Sequence, residues 1–200
     1  WMCACGEEGE DAALFDTVRT LGLDFCPALG VSIPVGKDSL SMRTLWQDSA
    51  GEDHTVVAPL SLVISAFAGV SDVRRVVTSH LKPGHDTRLL LVDLGHGRNR
   101  LGGSALAQVF ETIGDDVPDV AATDVRGLFS AVQSLIDEGL LLAYHDRSDG
   151  GLFVTAAEMA FAGRRGVRLE LVEWEDPAAA LFNEEIGALL QIRKIVIAHV

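Results

Sequence analysis

The sequence has few cysteines and no long apolar run, and both absences exclude classes of protein. No uninterrupted apolar stretch reaches the roughly 18 residues of a membrane span. No basic segment followed by an apolar core opens the chain, so we expect no signal peptide. The three cysteines are Cys3, Cys5 and Cys26. The Cys-x-Cys spacing of Cys3 and Cys5 is too short for an ordinary disulfide. Cys3, Cys5 and a histidine could bind zinc. We favour the alternative that the cysteines are reduced structural thiols in a cytoplasmic protein.

The sequence is also short of positive charge. Sixteen Lys and Arg stand against 29 Asp and Glu, which gives a net charge of −13. A nucleic acid or an anionic membrane needs a basic face, so we expect neither as a partner. A nucleotide stays compatible with this charge, because a metal ion can bridge acidic side chains to phosphates. With 200 residues, 48% of them hydrophobic, the chain can build the core of one large or two small domains.

Hydrophobic periodicity predicts helices that alternate with strands, which indicates an α/β (α+β) fold. The turn-forming segment Lys82–Pro83–Gly84–His85–Asp86 predicts a boundary between two domains, one over residues 1–84 and one over residues 85–200. The predicted helices cover 11–21, 71–80, a segment after Gly102–Gly103–Ser104, a segment from Thr123–Asp124, and 152–162. The predicted strands cover 31–35, 89–94, 140–144, 167–171 and 188–192.

Two polar segments carry residue types suited to phosphate chemistry. In the first, Gly36 allows close backbone approach, Lys37 can neutralise phosphate, Asp38 can hold a metal and Ser39 can donate to a phosphate oxygen. The P-loop spacing is absent, and a plain polar turn is the alternative. The second segment, His145–Gly151, follows an apolar strand and precedes a helix. Its carboxylates Asp146 and Asp149 would lie beside helix N–H groups, which suits magnesium and phosphate, or they would simply cap the helix.

Two further segments and one histidine have competing interpretations. Gly102–Gly103–Ser104 could cradle an anion, although glycines before a helix are common. Asn183–Glu184–Glu185 is either a solvated acidic turn or a metal or substrate contact. His145 is favoured as a hydrogen-bonded structural residue over a general base.

Four segments together resemble one enzyme family. PVGKDSLSM, LGGSALAQV, LLAYHDRSDGGL and LFNEEIGALLQI occur in this order, with Trp1–Met2 and the run from Cys26 to Gly30 adding to the match. They resemble the large, single-chain phosphoribosylformylglycinamidine synthase, a member of the aminoimidazole ribonucleotide synthetase superfamily. The resemblance implies an ATP-dependent ligase of purine biosynthesis. This enzyme converts formylglycinamide ribonucleotide and glutamine-derived ammonia to the amidine.

The resemblance also implies an architecture. The sequence is similar to the later half of the synthetase region without its beginning. It would contain two mixed α/β subdomains like the N- and C-terminal domains of aminoimidazole ribonucleotide synthetase. The first, at 1–84, would be truncated, and the second, at 85–200, would be cut short at its end. After Gln191 the family pattern fades, and residues 194–200 differ from the expected continuation.

Residue roles follow from the same resemblance. Gly36, Lys37 and Ser39 match the family's glycine-x-x-serine turn, which approaches ATP, metal and substrate phosphate at the catalytic site. Asp38 is a weaker candidate, on its chemistry alone. A related form has an asparagine metal ligand at the Lys37 position, so lysine favours a phosphate role there. The segment His145–Gly151 matches a structural ADP site with magnesium, where Asp146 would be a metal ligand, Ser148 a nucleotide contact, and Asp149 and Gly150 neighbours of these contacts. Asn183 and Glu184 correspond more weakly, by pseudo-symmetry, to a substrate loop of the first synthetase half. The implied cofactors are Mg²⁺ and ATP or ADP.

No catalytic residue is assigned to this chain by the resemblance. The family's catalytic histidine lies in the first half of the synthetase, and its glutaminase is a separate domain. We therefore expect no synthase activity from this chain alone, and a possible homodimer that imitates the pairing of the two halves. The alternative is a non-catalytic nucleotide-binding or scaffold module derived from the family.

Overall fold

The computed structural model describes residues 1–171 and 174–193 of the chain. These residues belong to two compact units, Trp1–Val70 and Ser71–Val200. The divergent tail at 194–200 lies outside the described residues. Within the described part, no helix combines the length and apolar character that crossing a membrane requires. The domain boundary predicted after residue 84 stays a prediction.

The first unit contains a helical segment and one antiparallel hairpin. The predicted first helix is confirmed as α1, and one π-helical turn joins it to α2. Gly30, with φ +76°, ends α2 in the left-handed conformation that glycine adopts at low cost. The bounds are α1 Glu10–Arg19, the π-helical turn Thr20–Phe25, α2 Cys26–Leu29, β1 Arg43–Gln47 and β2 Asp53–Val57.

The strand predicted at 31–35 is wrong. These described residues are not part of any strand, and Val31, Ile33 and Val35 are exposed. Pro34 has no N–H to donate to a sheet, which weakens strand pairing at this position. The hairpin of β1 and β2 was missed by the sequence analysis. It pairs Trp46 with His54 across the strands, and the two rings stack 5.2 Å apart.

The second unit is built on a three-stranded antiparallel sheet in the order β3-β5-β4. The last strand in sequence is therefore the central one, and six of its seven residues are buried. Burial on both faces explains why its sequence, GALLQI, is almost continuously apolar. The elements of this unit are β3 Thr87–Asp93, α3 Ala105–Val109, α4 Ala122–Asp137, β4 Leu141–Asp146, α5 Gly151–Gly163, α6 Pro177–Phe182 and β5 Gly187–Arg193.

Helices cover the two faces of this sheet. On one face, Leu189 of β5 packs with Leu152, Ala156 and Met159 of α5. On the other face, Leu190 packs in a cluster with Val132 of α4. Because successive strand residues point to opposite faces, the neighbouring residues Leu189 and Leu190 belong to two different cores. The predicted strands at 89–94, 140–144 and 188–192 and the predicted helix at 152–162 are confirmed, with shifts of one or two residues at their ends.

Two predicted elements of this unit are wrong. Residues 71–80 contain no helix, because the Asp72 carboxylate accepts from the Arg74 N–H at 3.0 Å and from its guanidinium, a local turn that competes with a helix. Residues 167–171 are not a strand in the described structure. Val167 and Leu169 pack against the α5 core, but within the described residues no strand pairs with this segment.

Candidate functional site

The topology of the second unit brings three distant segments together. Strand β5 runs antiparallel to both β3 and β4, so its first residues lie beside the last residues of the other two. Gly187 pairs with Asp93, and Ala188 pairs with Asp146. The segments that follow β3 and β4 therefore meet the segment that precedes β5. The last two of these three are the predicted segments His145–Gly151 and Asn183–Glu185.

The loop between β4 and α5 separates an inward side chain from outward ones. Arg147 is buried, and its guanidinium donates to the Asp93 carboxylate and to the Glu185 carbonyl. The Asp146 side chain is 70% exposed, and Ser148 and Asp149 are also exposed. The buried Arg147 thus fixes the loop from within, while the predicted metal ligand Asp146 and nucleotide contact Ser148 face solvent.

Two glycines turn this loop into helix α5. Gly150 and Gly151 have φ of +82° and +68°, values that residues with a side chain rarely adopt. A Cβ on Gly151 would also lie 2.5 Å from the Asn183 carbonyl oxygen. The double glycine therefore allows both the turn and the close approach of the 183–185 segment.

Glu184 joins the loop to helix α3. One carboxylate oxygen accepts from the N–H of Gly150 and from the N–H of Ala105, each at 2.8 Å. Gly150 precedes α5 and Ala105 begins α3, so a carboxylate at this place is favoured by both helix N-termini. Glu184 thus bonds to two N–H groups of the chain itself, at a position where the sequence left a solvated acidic turn and a metal or substrate contact as alternatives.

The neighbours of Glu184 point into the protein. Asn183 is fully buried, and its amide donates to the carbonyls of Ala179 and Ala180 and to Asn99 Oδ1. Its own oxygen accepts from the Glu185 N–H at 3.3 Å. The structure thus places the weaker candidate Asn183 in a structural network, where its side chain has four hydrogen-bond partners.

Glu185 forms a buried, two-pronged ion pair. Its carboxylate is fully buried and accepts from Arg100 Nε at 2.6 Å and Nη2 at 2.7 Å. Burial alone raises the pKa of Glu185, but the hydrogen bonds from Arg100 outweigh it, so the pKa lies below its usual range. The pair holds the loop that follows β3 against the start of β5.

Asp93 is a second carboxylate with a lowered pKa. Burial raises its pKa, and the hydrogen bonds from the Gly97 N–H and from Arg147 more than offset this effect. The Gly97 N–H lies 2.7 Å from the carboxylate and the Gly95 N–H lies 3.1 Å from it. Asp93 therefore stays ionised and organises the 93–97 turn.

His145 lies at the end of β4 with both ring nitrogens bonded. Nδ1 lies 2.7 Å from the Asp146 carbonyl oxygen, and Nε2 lies 2.9 Å from a carboxylate oxygen of Glu158 on α5. Both partners are acceptors, and together they hold the ring between strand and helix. This geometry agrees with the favoured interpretation of His145 as a structural residue.

In the first unit, the Gly36–Ser39 segment is held against the beginning of the chain. The Ser39 N–H donates to the Trp1 carbonyl at 2.9 Å, and the Cys3 N–H donates to the Ser39 carbonyl at 3.0 Å. Lys37 Nζ lies 2.6 Å from Ser39 Oγ and 2.8 Å from the Asp38 carbonyl oxygen. The ammonium and hydroxyl proposed for phosphate contact are therefore adjacent and exposed on one turn.

The first unit also contains one cluster of side chains that can bind a metal ion. The ligand atoms of Asp48 and Glu52, in the hairpin loop, and of His54, on β2, lie within 4.8 Å of one another. No other group of three His, Cys, Asp or Glu side chains does so within the described residues. Burial raises the pKa of the Cys3 thiol to about 11, helped by side-chain hydrogen bonds with Cys5 and with Glu10, whose carboxylate accepts from the thiol. This pKa disfavours the thiolate that zinc requires. Asp146 offers a single exposed carboxylate, which suits Mg²⁺ because that ion takes its other ligands from phosphates and water.

The sequence analysis missed two ion pairs, the partly buried Arg147–Asp93 pair and the buried Arg100–Glu185 pair. A weak signal existed for one of them. Asn183, Glu184 and Glu185 lead directly into a buried strand, where alternate side chains point the same way, so Glu185 was a candidate for an inward position. Arg100 lies 85 residues away in sequence, and nothing local identifies it as the partner.

Comparison with known proteins assigns both parts of the chain. A family model described as the FGAR-AT PurM_N-like domain matches residues 1–69, and one described as the AIR synthase related protein, C-terminal domain, matches residues 87–192. Among solved structures, the chain is similar to PurLQS from Thermotoga maritima (TM-score 0.52) and to T. maritima PurL complexed with ATP (TM-score 0.51). Each comparison covers 99% of this chain and 29% of the other chain, at 12% identity.

The structural likeness at this identity establishes the fold, and the family models establish the kinship. The chain spans 29% of the length of the solved structures that it matches. The second model alone covers more than half of the chain. The matches confirm the α+β fold and the resemblance to phosphoribosylformylglycinamidine synthase drawn from the sequence motifs. The chain belongs to the AIR synthase related protein family, with an FGAR-AT PurM_N-like domain ahead of its AIR synthase related C-terminal domain.

Proposed function

We propose that this chain supplies nucleotide-site residues to a phosphoribosylformylglycinamidine synthase. The reaction is the ATP-dependent conversion of formylglycinamide ribonucleotide and glutamine-derived ammonia to the amidine, with Mg²⁺ as the metal. The observation that carries the proposal is the β4–α5 loop. Its buried Arg147 holds it in place, while Asp146 and Ser148 are presented to solvent.

Asp146 is the proposed magnesium ligand and Ser148 the proposed nucleotide contact. A carboxylate fixed at a strand end can hold Mg²⁺ together with nucleotide phosphates and water, since the ion needs only one or two protein carboxylates. Asp149 and Gly150 lie next to this position and are proposed as its neighbours. The Glu184 carboxylate accepts hydrogen bonds from the N–H groups of Ala105 and Gly150, so its proposed role is to fix the loop.

A second nucleotide or substrate contact is proposed at Gly36, Lys37 and Ser39. Lys37 Nζ and Ser39 Oγ are 2.6 Å apart, so one phosphate oxygen can contact both groups. Asp38 contributes its carbonyl oxygen to the Lys37 ammonium. This contact orients the lysine within the turn.

Calorimetric titration of the 200-residue chain with ADP, with and without Mg²⁺, tests the proposal. We expect magnesium-dependent binding that Asp146→Ala abolishes. Asp146 is largely exposed, so this substitution is expected to leave the fold intact. Asp24→Ala is the matched control, because Asp24 is an exposed aspartate of the first unit, and it is expected to bind as the unmodified chain does. Equal magnesium-dependent binding by Asp146→Ala, or no binding by the unmodified chain, would contradict the proposal.

The catalytic step is proposed to need residues that this chain does not supply. The resemblance places the catalytic histidine in the other synthetase half and the ammonia-producing nucleophile in a glutaminase domain. We therefore propose these as partners and expect no amidine from this chain with ATP, formylglycinamide ribonucleotide and ammonia. Detection of amidine by mass spectrometry would overturn this part.

Two further properties are proposed for the isolated chain. Large apolar side chains such as Phe15, Val63 and Phe67 are exposed on the first unit, which favours self-association into a homodimer. The cysteines Cys3, Cys5 and Cys26 are all free. Free thiols agree with the cytoplasmic location proposed for an enzyme of purine biosynthesis.

A further inference from the structure

The second unit contains a cavity of about 630 Å³ on the α5 side of its sheet. This volume falls within the range of small-molecule sites. Its lining comprises segments 81–85, 87–89 and 165–170 and Trp174, together with Leu91, Leu152, Leu189 and Gln191. None of the site residues proposed above, in either unit, is among these lining residues.

The floor of this cavity is apolar. Leu81, Leu89, Leu152 and Leu189 belong to the core cluster of the α5 face or pack against it, and so does Trp174. Gln191 closes one side, where its amide accepts from the Lys82 N–H at 2.7 Å and donates to the Lys82 carbonyl at 2.9 Å. These backbone bonds hold the 81–85 segment at the cavity wall. The cavity is therefore bounded by fixed structure.

The charge of the lining is opposite to that of the chain. Lys82, Arg88, Arg165 and Arg168 line the cavity, whereas Glu170 is the one carboxylate among its described lining residues. In a chain with 16 cations and 29 anions, this local excess of positive charge is unexpected for a random surface. A basic rim around an apolar floor raises the local concentration of anions.

Two of these cations are available to a ligand. Arg168 pairs with Glu170 at 3.1 Å, and Arg88 donates to the Thr87 carbonyl. The side chains of Lys82 and Arg165 have no ion-pair or hydrogen-bond partner among residues 1–171 and 174–193. An anion with an apolar body would place its body on the leucines and Trp174, and its charge between these two side chains.

We propose that this cavity binds a small organic anion with an apolar body, a class that includes medium-chain carboxylates. The binding is independent of the nucleotide site proposed above. The cavity is large enough for such a ligand, and its leucine and tryptophan floor would bury the apolar body. Lys82 and Arg165 would favour a ligand with a negative charge.

Fluorescence of Trp174 provides the test. The substitutions Trp1→Phe and Trp46→Phe leave Trp174 as the only tryptophan, because the sequence has three. Titration of this 200-residue chain with decanoate is expected to change the Trp174 emission saturably, with one ligand bound per chain. Decyltrimethylammonium, with the same chain length and the opposite charge, is expected to bind at least about tenfold more weakly.

Removal of the two positive charges distinguishes a specific anion site from nonspecific binding to an apolar surface. Lys82→Gln together with Arg165→Gln is expected to weaken decanoate binding about tenfold, since each exposed charge contributes up to about 1 kcal/mol. The matched control is Arg19→Gln with Arg43→Gln, which removes the same net charge from exposed arginines of the first unit. Far-UV circular dichroism verifies that each variant is folded. Equal affinity for both probes, decanoate binding that the double variant leaves unchanged, or binding without a response from Trp174 would overturn the proposal.

Discussion

Replacement of Glu184 tests how the candidate site is held in place. One carboxylate oxygen accepts two backbone N–H bonds of 2.8 Å, from Ala105 and Gly150. A hydrogen bond to a charged group contributes about 1.5–3 kcal/mol, and the half-buried position of Glu184 favours the lower value. Glu184→Ala is therefore expected to lower the free energy of unfolding of this unit by about 3 kcal/mol.

Glu184→Gln is the informative companion. Glutamine keeps a carbonyl oxygen of the same reach and loses the negative charge. Two neutral hydrogen bonds contribute about 1 kcal/mol each, so we expect a loss of about 1 kcal/mol relative to the unmodified chain. Glu138→Ala is the control, because the exposed Glu138 side chain makes no hydrogen bond or ion pair within the described residues, and its cost is expected to be below about 0.5 kcal/mol.

Urea unfolding followed by Trp174 emission gives the measurement. In the Trp1→Phe, Trp46→Phe background this signal reports the unit that contains the site, since Trp1 and Trp46 lie in the other unit. A cost for Glu184→Ala no larger than that of Glu138→Ala would refute the reasoning. It would mean that the two N–H groups find water or another acceptor at no loss.

Two further outcomes follow from the same unit. Gly151→Ala is expected to lower the free energy of unfolding, measured in urea, by more than about 2 kcal/mol, because φ is +68° and the added Cβ would lie 2.5 Å from the Asn183 carbonyl oxygen. The control is Gly127→Ala, inside α4, where an added Cβ would have no atom within 4 Å. It is expected to raise the free energy of unfolding by about 0.5–1 kcal/mol. Asp93 and Glu185 both have pKa values lowered by folding. The stability that these two carboxylates contribute is therefore complete above the unfolded carboxyl pKa of about 4 and is lost as the pH falls through their lower folded pKa values. The urea midpoint of unfolding should therefore fall as the pH is lowered through the acid range. For Asp93→Asn the midpoint should fall less steeply with pH.

Much of the second unit could be predicted from the sequence because its elements have strong local signals. Strand β5 is a nearly continuous apolar run, and α5 begins at the double glycine Gly150–Gly151, so the type and position of both elements were clear. The helix predicted at 71–80 failed because an Asp72–Arg74 turn, together with β-branched valines, outweighed the capping signal. The hairpin of β1 and β2 was missed because its strands are mostly exposed and lack a clear alternation.

The segments of the candidate site were predicted from sequence motifs. The ion pairs that connect these segments were not predicted, because they depend on the topology of the sheet. Pairing of β5 between β3 and β4 is a property of the whole sheet, and no local pattern specifies it. That pairing brings Arg147 onto Asp93 and Arg100 onto Glu185, so each buried charge is matched by its opposite. The charges left facing solvent on the loop are Asp146 and Asp149. Because the buried pairs hold the loop, nucleotide binding there would require little reordering of the backbone, which lowers its entropic cost.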